Sequence, residues 1–302
     1  MEDCIIIGGG PAGLTAAIYL ARYRLDIRLF DAGQSRARWI PTSHNHAGFP
    51  EGIHGEDLLA RMLEQAEKYG ARREETRVTG LARDGEGFVV TAGDETHRAR
   101  CVLIATGVVN NRPEGMDDAL HDEALARGLL RYCPVCDGYE VTDKRVAVIG
   151  TDHHGCAEAE FLRAYTADLT LISPDAAHTL DDACNDRLED AGIAKVSGPA
   201  SNFAIEGDCL ALDTGEGRMR FDSVYPALGS QIRSELAKQV GAKMSEEGCI
   251  AVDDHLETSV PGLFAAGDVI IGLDQISRAM GDAAIATTEI RHRVAEQRPV
   301  RR

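Results

Sequence analysis

Cys4-Ile5-Ile6-Ile7-Gly8-Gly9-Gly10-Pro11-Ala12-Gly13-Leu14-Thr15-Ala16-Ala17-Ile18-Tyr19-Leu20-Ala21-Arg22 reads as strand, tight turn and helix in succession. A short aliphatic run breaks into glycines and then into an apolar period of helical spacing. Gly8 allows the turn, Gly10 lets the backbone approach a pyrophosphate, and Gly13 lets the helix pack closely on its strand. Alone, Gly-x-Gly-x-x-Gly is a weak signal. Here the next strand, Ile27-Arg28-Leu29-Phe30, ends in Asp31, placed where an acid can bind ribose hydroxyls. NAD is the competing ligand for such a turn, but the later segments argue for FAD. Phe88-Val89-Val90-Thr91 reads as part of a hairpin, Cys101 to Gly107 as a buried strand closing on a small-residue turn, and Gly262 to Val269 as another buried strand delivering an acid at its carboxyl end.

The same pattern returns, altered, at Arg145-Val146-Ala147-Val148-Ile149-Gly150, and just before it stands Cys133-Pro134-Val135-Cys136-Asp137-Gly138. Two thiols separated by two residues can cycle between dithiol and disulfide. The alternative is half of a zinc site. Zinc takes four ligands, and no second Cys-x-x-Cys or matching His pair accompanies this one, so no metal is expected. The six other cysteines are scattered singly and read as core or surface thiols. Asp137 is an acid/base group beside a sulfur, or equally a helix-terminal acid stabilising the local dipole.

Size and charge bound the function. The 302 residues suit two domains. With 49 acidic residues against 32 Lys and Arg, the net charge of −17 would repel a phosphate backbone, which argues against nucleic acid. Met1-Glu2-Asp3 runs straight into an apolar strand without a basic leader, and no apolar run is long enough to span a bilayer. The expectation is a cytoplasmic enzyme that does not engage a membrane.

Taken together, Gly8 to Gly13, Ala105-Thr106-Gly107, Cys133 to Gly138 and Ala265-Ala266-Gly267-Asp268 resemble, in order and spacing, the low-molecular-weight thioredoxin reductases over essentially the whole chain. The resemblance implies an α/β fold of two Rossmann-like, three-layer nucleotide-binding domains, the second inserted into the first. The FAD-binding domain would comprise 1–112 and 230–302, and 113–229 would form an NAD(P)H-binding-like domain carrying the cysteines. The crossings fall near Arg112-Pro113-Glu114-Gly115 and Ala227-Leu228-Gly229-Ser230, whose Pro and Gly content suits hinges or plain turns. The resemblance further implies a homodimer with one FAD per subunit. By position, Cys136 would face the flavin, Cys133 would attack a substrate disulfide and Asp137 would shuttle a proton. The cofactor would be held by Gly8, Gly10, Pro11, Ala12, Gly13, Asp31, Asn45, Val78, Ala105, Thr106, Gly107, Gly267, Asp268, Gln275 and Ile276.

The chain departs from the family at its second nucleotide turn. Gly150 is followed by Thr151-Asp152-His153-His154-Gly155, so a carboxylate stands where the family has a glycine beside the pyrophosphate. The following strand, Leu169-Thr170-Leu171-Ile172, leads into Ser173-Pro174-Asp175-Ala176-Ala177-His178, without the arginines that would pair with a 2′-phosphate. Ordinary NADPH use is therefore doubtful, with NADH on a remodelled loop as the remaining pyridine-nucleotide reading. A metal site from His153, His154 and Cys156 is disfavoured, because adjacent histidines point apart. Beside the flavin, Asp274-Gln275 replaces the family's Arg-Gln pair, although the helix that follows still aims amides at the flavin.

The expected partner is a thioredoxin-like protein or a small-molecule dithiol/disulfide. Altered chains of this kind also include ferredoxin-linked reductases and enzymes passing electrons from dithiols to oxygen. Outside catalysis, a flavin-bound redox sensor fits the same motifs. Five arginines between Arg291 and Arg302 are a candidate docking patch for an acidic protein such as ferredoxin.

Overall fold

The computed structural model describes residues 1–299. The chain begins β1 (Glu2–Ile7), α1 (Pro11–Arg22), β2 (Ile27–Phe30), α2 (Gly55–Lys68), β3 (Arg72–Glu74), β4 (Val78–Asp84), β5 (Gly87–Ala92), β6 (Glu95–Ile104) and β7 (Val108–Asn110). It continues through α3 (Asp118–Ala126), α4 (Pro134–Asp137), β8 (Val146–Ile149), α5 (His153–Leu162), β9 (Leu169–Ile172), α6 (Asp182–Asp190), β10 (Ala194–Val196), β11 (Ser201–Glu206), β12 (Cys209–Thr214), β13 (Gly217–Phe221) and β14 (Ser223–Pro226). The last elements are β15 (Ser230–Ile232), α7 (Glu235–Gln239), β16 (Leu263–Ala265) and α8 (Ile276–Gln297).

Two compact units result, one of residues 1–38, 53–109 and 232–302, the other of 39–52 and 110–231. The first is built on a sheet ordered β3-β2-β1-β6-β5-β4, with β16 also on β6. Its parallel core sets Cys4 to Ile7 beside Ile27 to Phe30 on one side and Cys101 to Ile104 on the other. Five consecutive residues of β1 are buried, as expected of a strand covered on both faces. The antiparallel β4, β5 and β6 form the edge.

The second unit has a parallel sheet ordered β10-β9-β8-β14 and an antiparallel sheet β11-β12-β13. Alternation along β8 divides its two cores. Ala147 and Ile149 face Phe203, Leu210, Leu212 and Phe221, while Val146 and Val148 face Cys156, Ala159, Leu162 and Leu188 of the helical layer. Residues 39–52, assigned by sequence to the first domain, group with this unit, where Trp39, the chain's single tryptophan, packs against His121 and Tyr132.

Candidate functional site: two glycine turns and a cysteine pair

In the first turn the glycines are required for different reasons. Gly8 has φ +116°, and a Cβ there would lie 2.2 Å from the Ala105 carbonyl oxygen. A Cβ on Gly13 would lie 1.8 Å from the Gly8 oxygen, so strand and helix close on bare backbone. Gly10 differs: a Cβ there would meet nothing nearer than Ser35 Oγ at 3.2 Å. Gly10 heads α1 without a side-chain cap, followed by Pro11 in the first turn. The α1 amides are therefore left to an anion.

Asp31, at the end of β2, accepts from Gly33 N at 2.9 Å and from Arg73 Nε and Nη2 at 3.1 and 2.9 Å. Arg73 escaped the sequence reading because β3 reaches Asp31 only through the sheet. Asp31, Gly9, Ser35, Arg38 and Arg73 line a cavity of about 290 Å³. Val78, at the start of β4, pairs with Ala92 at the sheet edge. The crossing from β6 is held where Thr106 Oγ1 donates to the Arg233 carbonyl, with Gly107 at φ +63°.

The far end of this unit brings in the other sequence-selected residues. Gly267 has φ +78°, and a Cβ there would sit 3.1 Å from the Ala12 Cβ and 3.4 Å from that of Ala279, so it lies between the first turns of α1 and α8. Gln275 heads α8 and Ile276 is its first residue, again without a side-chain cap. Asp268 accepts from Arg36 Nη2 at 2.7 Å, and the same nitrogen reaches Asp274 at 3.1 Å. Burial and the charge of Asp268 push the Asp274 carboxyl upward against the pull of Arg36. Thus the acid replacing the family's arginine has its own cation, supplied from the segment after β2. Two neighbouring uncapped helix starts, a Gly10 without side chain and a ribose-type acid fit an elongated dinucleotide such as FAD. Asn45 lies in the 39–52 segment, where its Oδ1 accepts from Ser43 Oγ at 3.1 Å.

Cys133 and Cys136 form a disulfide at the start of α4. Cys133 is the N-cap, and its Sγ accepts from Cys136 N at 3.1 Å. After opening, that amide favours the anion on Cys133. Asp137 is gripped on both oxygens, by Arg131 Nη1 at 2.8 Å and by the Tyr225 hydroxyl at 2.9 Å. Burial nevertheless raises its carboxyl above the ordinary carboxylate range, with Arg131 and Tyr225 opposing. Ionising Asp137 thus works against the fold: its contribution is full in acid and declines as pH rises through its folded value. Tyr225 is itself fully buried. Gly138 is needed because a Cβ there would press to 2.7 Å from the Tyr165 ring. Tyr132, preceding Cys133, is hydrogen-bonded at 3.1 Å to His121 Nε2, which stiffens the approach to the disulfide.

At the second turn Gly150 and Gly155 still pack tightly; a Cβ on Gly150 would lie 2.8 Å from the Gly155 Cα. The amides, however, are taken. Asp152 caps α5, and its Oδ1 accepts from His154 N at 2.9 Å and Gly155 N at 3.1 Å. The loop after β9 closes over the turn: Thr179 N donates to Thr151 Oγ1 at 2.8 Å and Thr179 Oγ1 to the Thr151 carbonyl at 3.0 Å. His154 pairs with Glu158 at 3.1 Å while Cys156 is buried in the helical layer. Among the described residues no three His, Cys, Asp or Glu side chains cluster in a metal-holding arrangement.

The C-terminal arginines differ from their reading as a docking patch. Arg298 pairs with Asp3, Arg293 Nη1 with Glu257 at 2.8 Å, and Arg291 lies over the Tyr23 ring. Arg301 and Arg302 lie outside the described residues. The charges close the helix onto its own unit. Among the described residues, no helix is long and apolar enough to cross a membrane.

A family model described as pyridine nucleotide-disulphide oxidoreductase matches residues 2–283, and the chain belongs to that family. Within it, the chain is 32% identical to a thioredoxin reductase of Mycolicibacterium smegmatis, with 98% of each chain covered. It is 31% identical to the thioredoxin reductase of Bacillus subtilis, covering 97% of this chain and 95% of the other. The crystal structure of thioredoxin reductase from Streptococcus pyogenes MGAS5005 superposes with a TM-score of 0.89 at 27% identity, covering 98% of this chain and 99% of that one. The chain is thus an enzyme, a flavin-dependent disulfide oxidoreductase of the thioredoxin-reductase type.

Proposed function

We propose that the chain moves electron pairs between FAD, the Cys133–Cys136 couple and a thiol/disulfide partner, without drawing them from NADPH in the usual way. The observation carrying this reading is the Asp152 carboxylate seated on the α5 amides that a pyrophosphate would need. A second negative group there would displace a capping bond and meet like charge. The loop from Ser173 to Asp181 also contains no arginine for a 2′-phosphate. NADPH therefore does not fit this turn.

FAD fits the first unit, where the α1 turn from Gly8 to Gly13, Asp31 and the edge near Val78, Ala105 to Gly107, and Gly267, Asp268, Gln275 and Ile276 would hold it; the family resemblance adds Asn45. When bound, it supplies a two-electron store able to reduce or be reduced by a disulfide. The chain's own residues do the rest. In the reducing direction the Cys133 thiolate, favoured by the Cys136 amide, attacks a partner disulfide. One partner sulfur leaves with the electron pair and takes a proton. Cys136 then attacks Cys133, the mixed disulfide breaks, and the partner departs as a dithiol. Asp137, held between Arg131 and Tyr225 with a raised carboxyl, carries the proton that one sulfur must gain or lose.

A thioredoxin-like protein is the first partner to try, given the names of the relatives, followed by small dithiols. The same steps run backward for a dithiol oxidase. Arg291, Arg293 and Arg298 are engaged within their own unit, which places ferredoxin after thiol partners in the order to try. A cytoplasmic homodimer belongs to this proposal and is checked by fractionation and light scattering.

Anaerobic titration tests the whole reading. Dithiol or reduced thioredoxin should bleach the flavin, and NADPH at the same concentration should not. Rapid bleaching by NADPH would sink the donor assignment, and a colourless protein that takes up no FAD would sink the function itself.

A further inference from the structure

Cys156 of α5 and Cys184 of α6, solitary in the sequence, meet in the fold. Both are buried. Cys156 Sγ lies 3.7 Å from the Cys184 carbonyl oxygen. Arg187, nearly one turn beyond Cys184, directs a single nitrogen, Nη2, at both sulfurs, at 3.4 Å from Cys156 and 3.3 Å from Cys184. Glu160 completes the group, with Oε2 at 3.8 Å from Cys156 Sγ and Oε1 at 3.4 Å from Arg187 Nε. Asp181 accepts from the Cys184 amide at 2.7 Å. A guanidinium gains little from a neutral thiol and much from a thiolate. One guanidinium spanning two adjacent sulfurs therefore suits the anion that disulfide exchange passes through. The other buried pair is a contrast: Cys4 and Cys101 lie in register on β1 and β6, and the Cys4 thiol donates to the Ile5 carbonyl at 3.6 Å.

We propose that Cys156 and Cys184 are a second redox couple, forming a reversible disulfide that staples α5 to α6. With hydrogen peroxide as oxidant, one thiolate attacks a peroxide oxygen. The S–O bond forms as the O–O bond breaks, and the departing hydroxide takes up a proton to become water. The second thiol then attacks the sulfenic sulfur, the S–S bond forms and a second water leaves. The two thiols have lost an electron pair and two protons, and a dithiol returns them. Burial holds the Cys184 thiol up at about 11 against the pull of Arg187, so this thiol rests protonated and Arg187 is the counter-charge for the thiolate that must form. Because α5 carries the second glycine turn and the loop pinned at Thr151 leads into α6, the staple would fix that closed turn in place.

The test is peptide mapping of the purified holoprotein after hydrogen peroxide, with alkylation before digestion. The expected result is a cross-linked peptide joining Cys156 to Cys184, distinct from the Cys133–Cys136 peptide, with two alkylatable thiols returning after dithiothreitol. Arg187→Met should slow the cross-link roughly tenfold, the size of one pKa unit of lost thiolate stabilisation. Recovery of Cys156 and Cys184 separately, as alkylated thiols or as sulfinic or sulfonic acids, would overturn the proposal. An unchanged rate in Arg187→Met would remove the guanidinium from it.

Discussion

Gly10 and Asp152 occupy the same place in two copies of one design. Each heads the helix after the first strand of a parallel sheet, and each has an extended backbone, φ −81° and ψ −174° at Gly10, φ −121° and ψ −171° at Asp152. The tight packing around them is kept in both turns, at Gly8 with Gly13 and at Gly150 with Gly155. What differs is who satisfies the helix amides. The first turn leaves them open, and the second has its own carboxylate on them. A Rossmann turn can therefore retain its steric signature while losing the vacancy that made it a ligand site, because fold and binding depend on different glycines.

The sharpest way to break this comparison is to write the second turn into the first. Gly10→Asp places a carboxylate at an N-cap whose backbone accepts any residue and whose Cβ would meet only the Ser35 side chain, which must shift by a few tenths of an ångström. The expected outcome is a folded protein purifying without yellow colour, with cofactor absorbance lost while circular dichroism is kept. Normal flavin content in this variant would mean that the α1 amides do not hold the cofactor.

Next in size is Asp137→Asn, which keeps shape and hydrogen-bonding capacity but cannot carry a proton. Dithiol/disulfide turnover should fall about a hundredfold, the usual weight of one acid/base group. Cys133–Cys136 must still form on oxidation, read by thiol titration. Unchanged turnover would leave Asp137 as the helix-terminal acid that its sequence equally allowed.

The contrast between the turns was legible in part because Gly13 is explained by atoms of the same strand–turn–helix, the Gly8 oxygen, whereas the Ala105 carbonyl that requires Gly8 is delivered by β6 through the sheet. Asp152 was legible as a foreign charge, though not as a cap, since capping needs the helix to start at His153. The partners of Asp137 were hidden for the opposite reason. Tyr225 stands 88 residues away on β14 and reads in sequence as one more buried strand residue, and only the sheet delivers its hydroxyl. Arg36 and Arg73 are likewise brought to Asp268 and Asp31 by chain reversals no spacing encodes. At the basic C-terminus the pairing of Arg298 with Asp3 was hidden likewise, because it spans 295 residues.

Arg131→Met sharpens the view of Asp137 as a tuned acid. Arg131 opposes the upward push of burial, so removing it should raise the Asp137 carboxyl further. The basic limb of the turnover profile, where protonated Asp137 is lost, should then move to higher pH. A limb that moves to lower pH or stays put would assign it to another group.

The smallest effect is expected from the reverse graft, Asp152→Gly. Replacing a capping Asp by Gly should cost only a few tenths of a kcal/mol, visible as a slight fall in urea midpoint. It reopens the amides of His154 and Gly155 but supplies no cation for a 2′-phosphate, and the Thr151–Thr179 bonds still close the turn. Anaerobic flavin reduction by NADH should therefore rise, by about tenfold if relief of the like charge is worth one pKa-unit equivalent, with NADPH gaining less. Equal gains for both nucleotides would show that the missing arginines do not matter. No gain for either, with the helix intact, would shift the block from the Asp152 carboxylate to the loop at Thr179, and Thr179→Val in the same background separates the two.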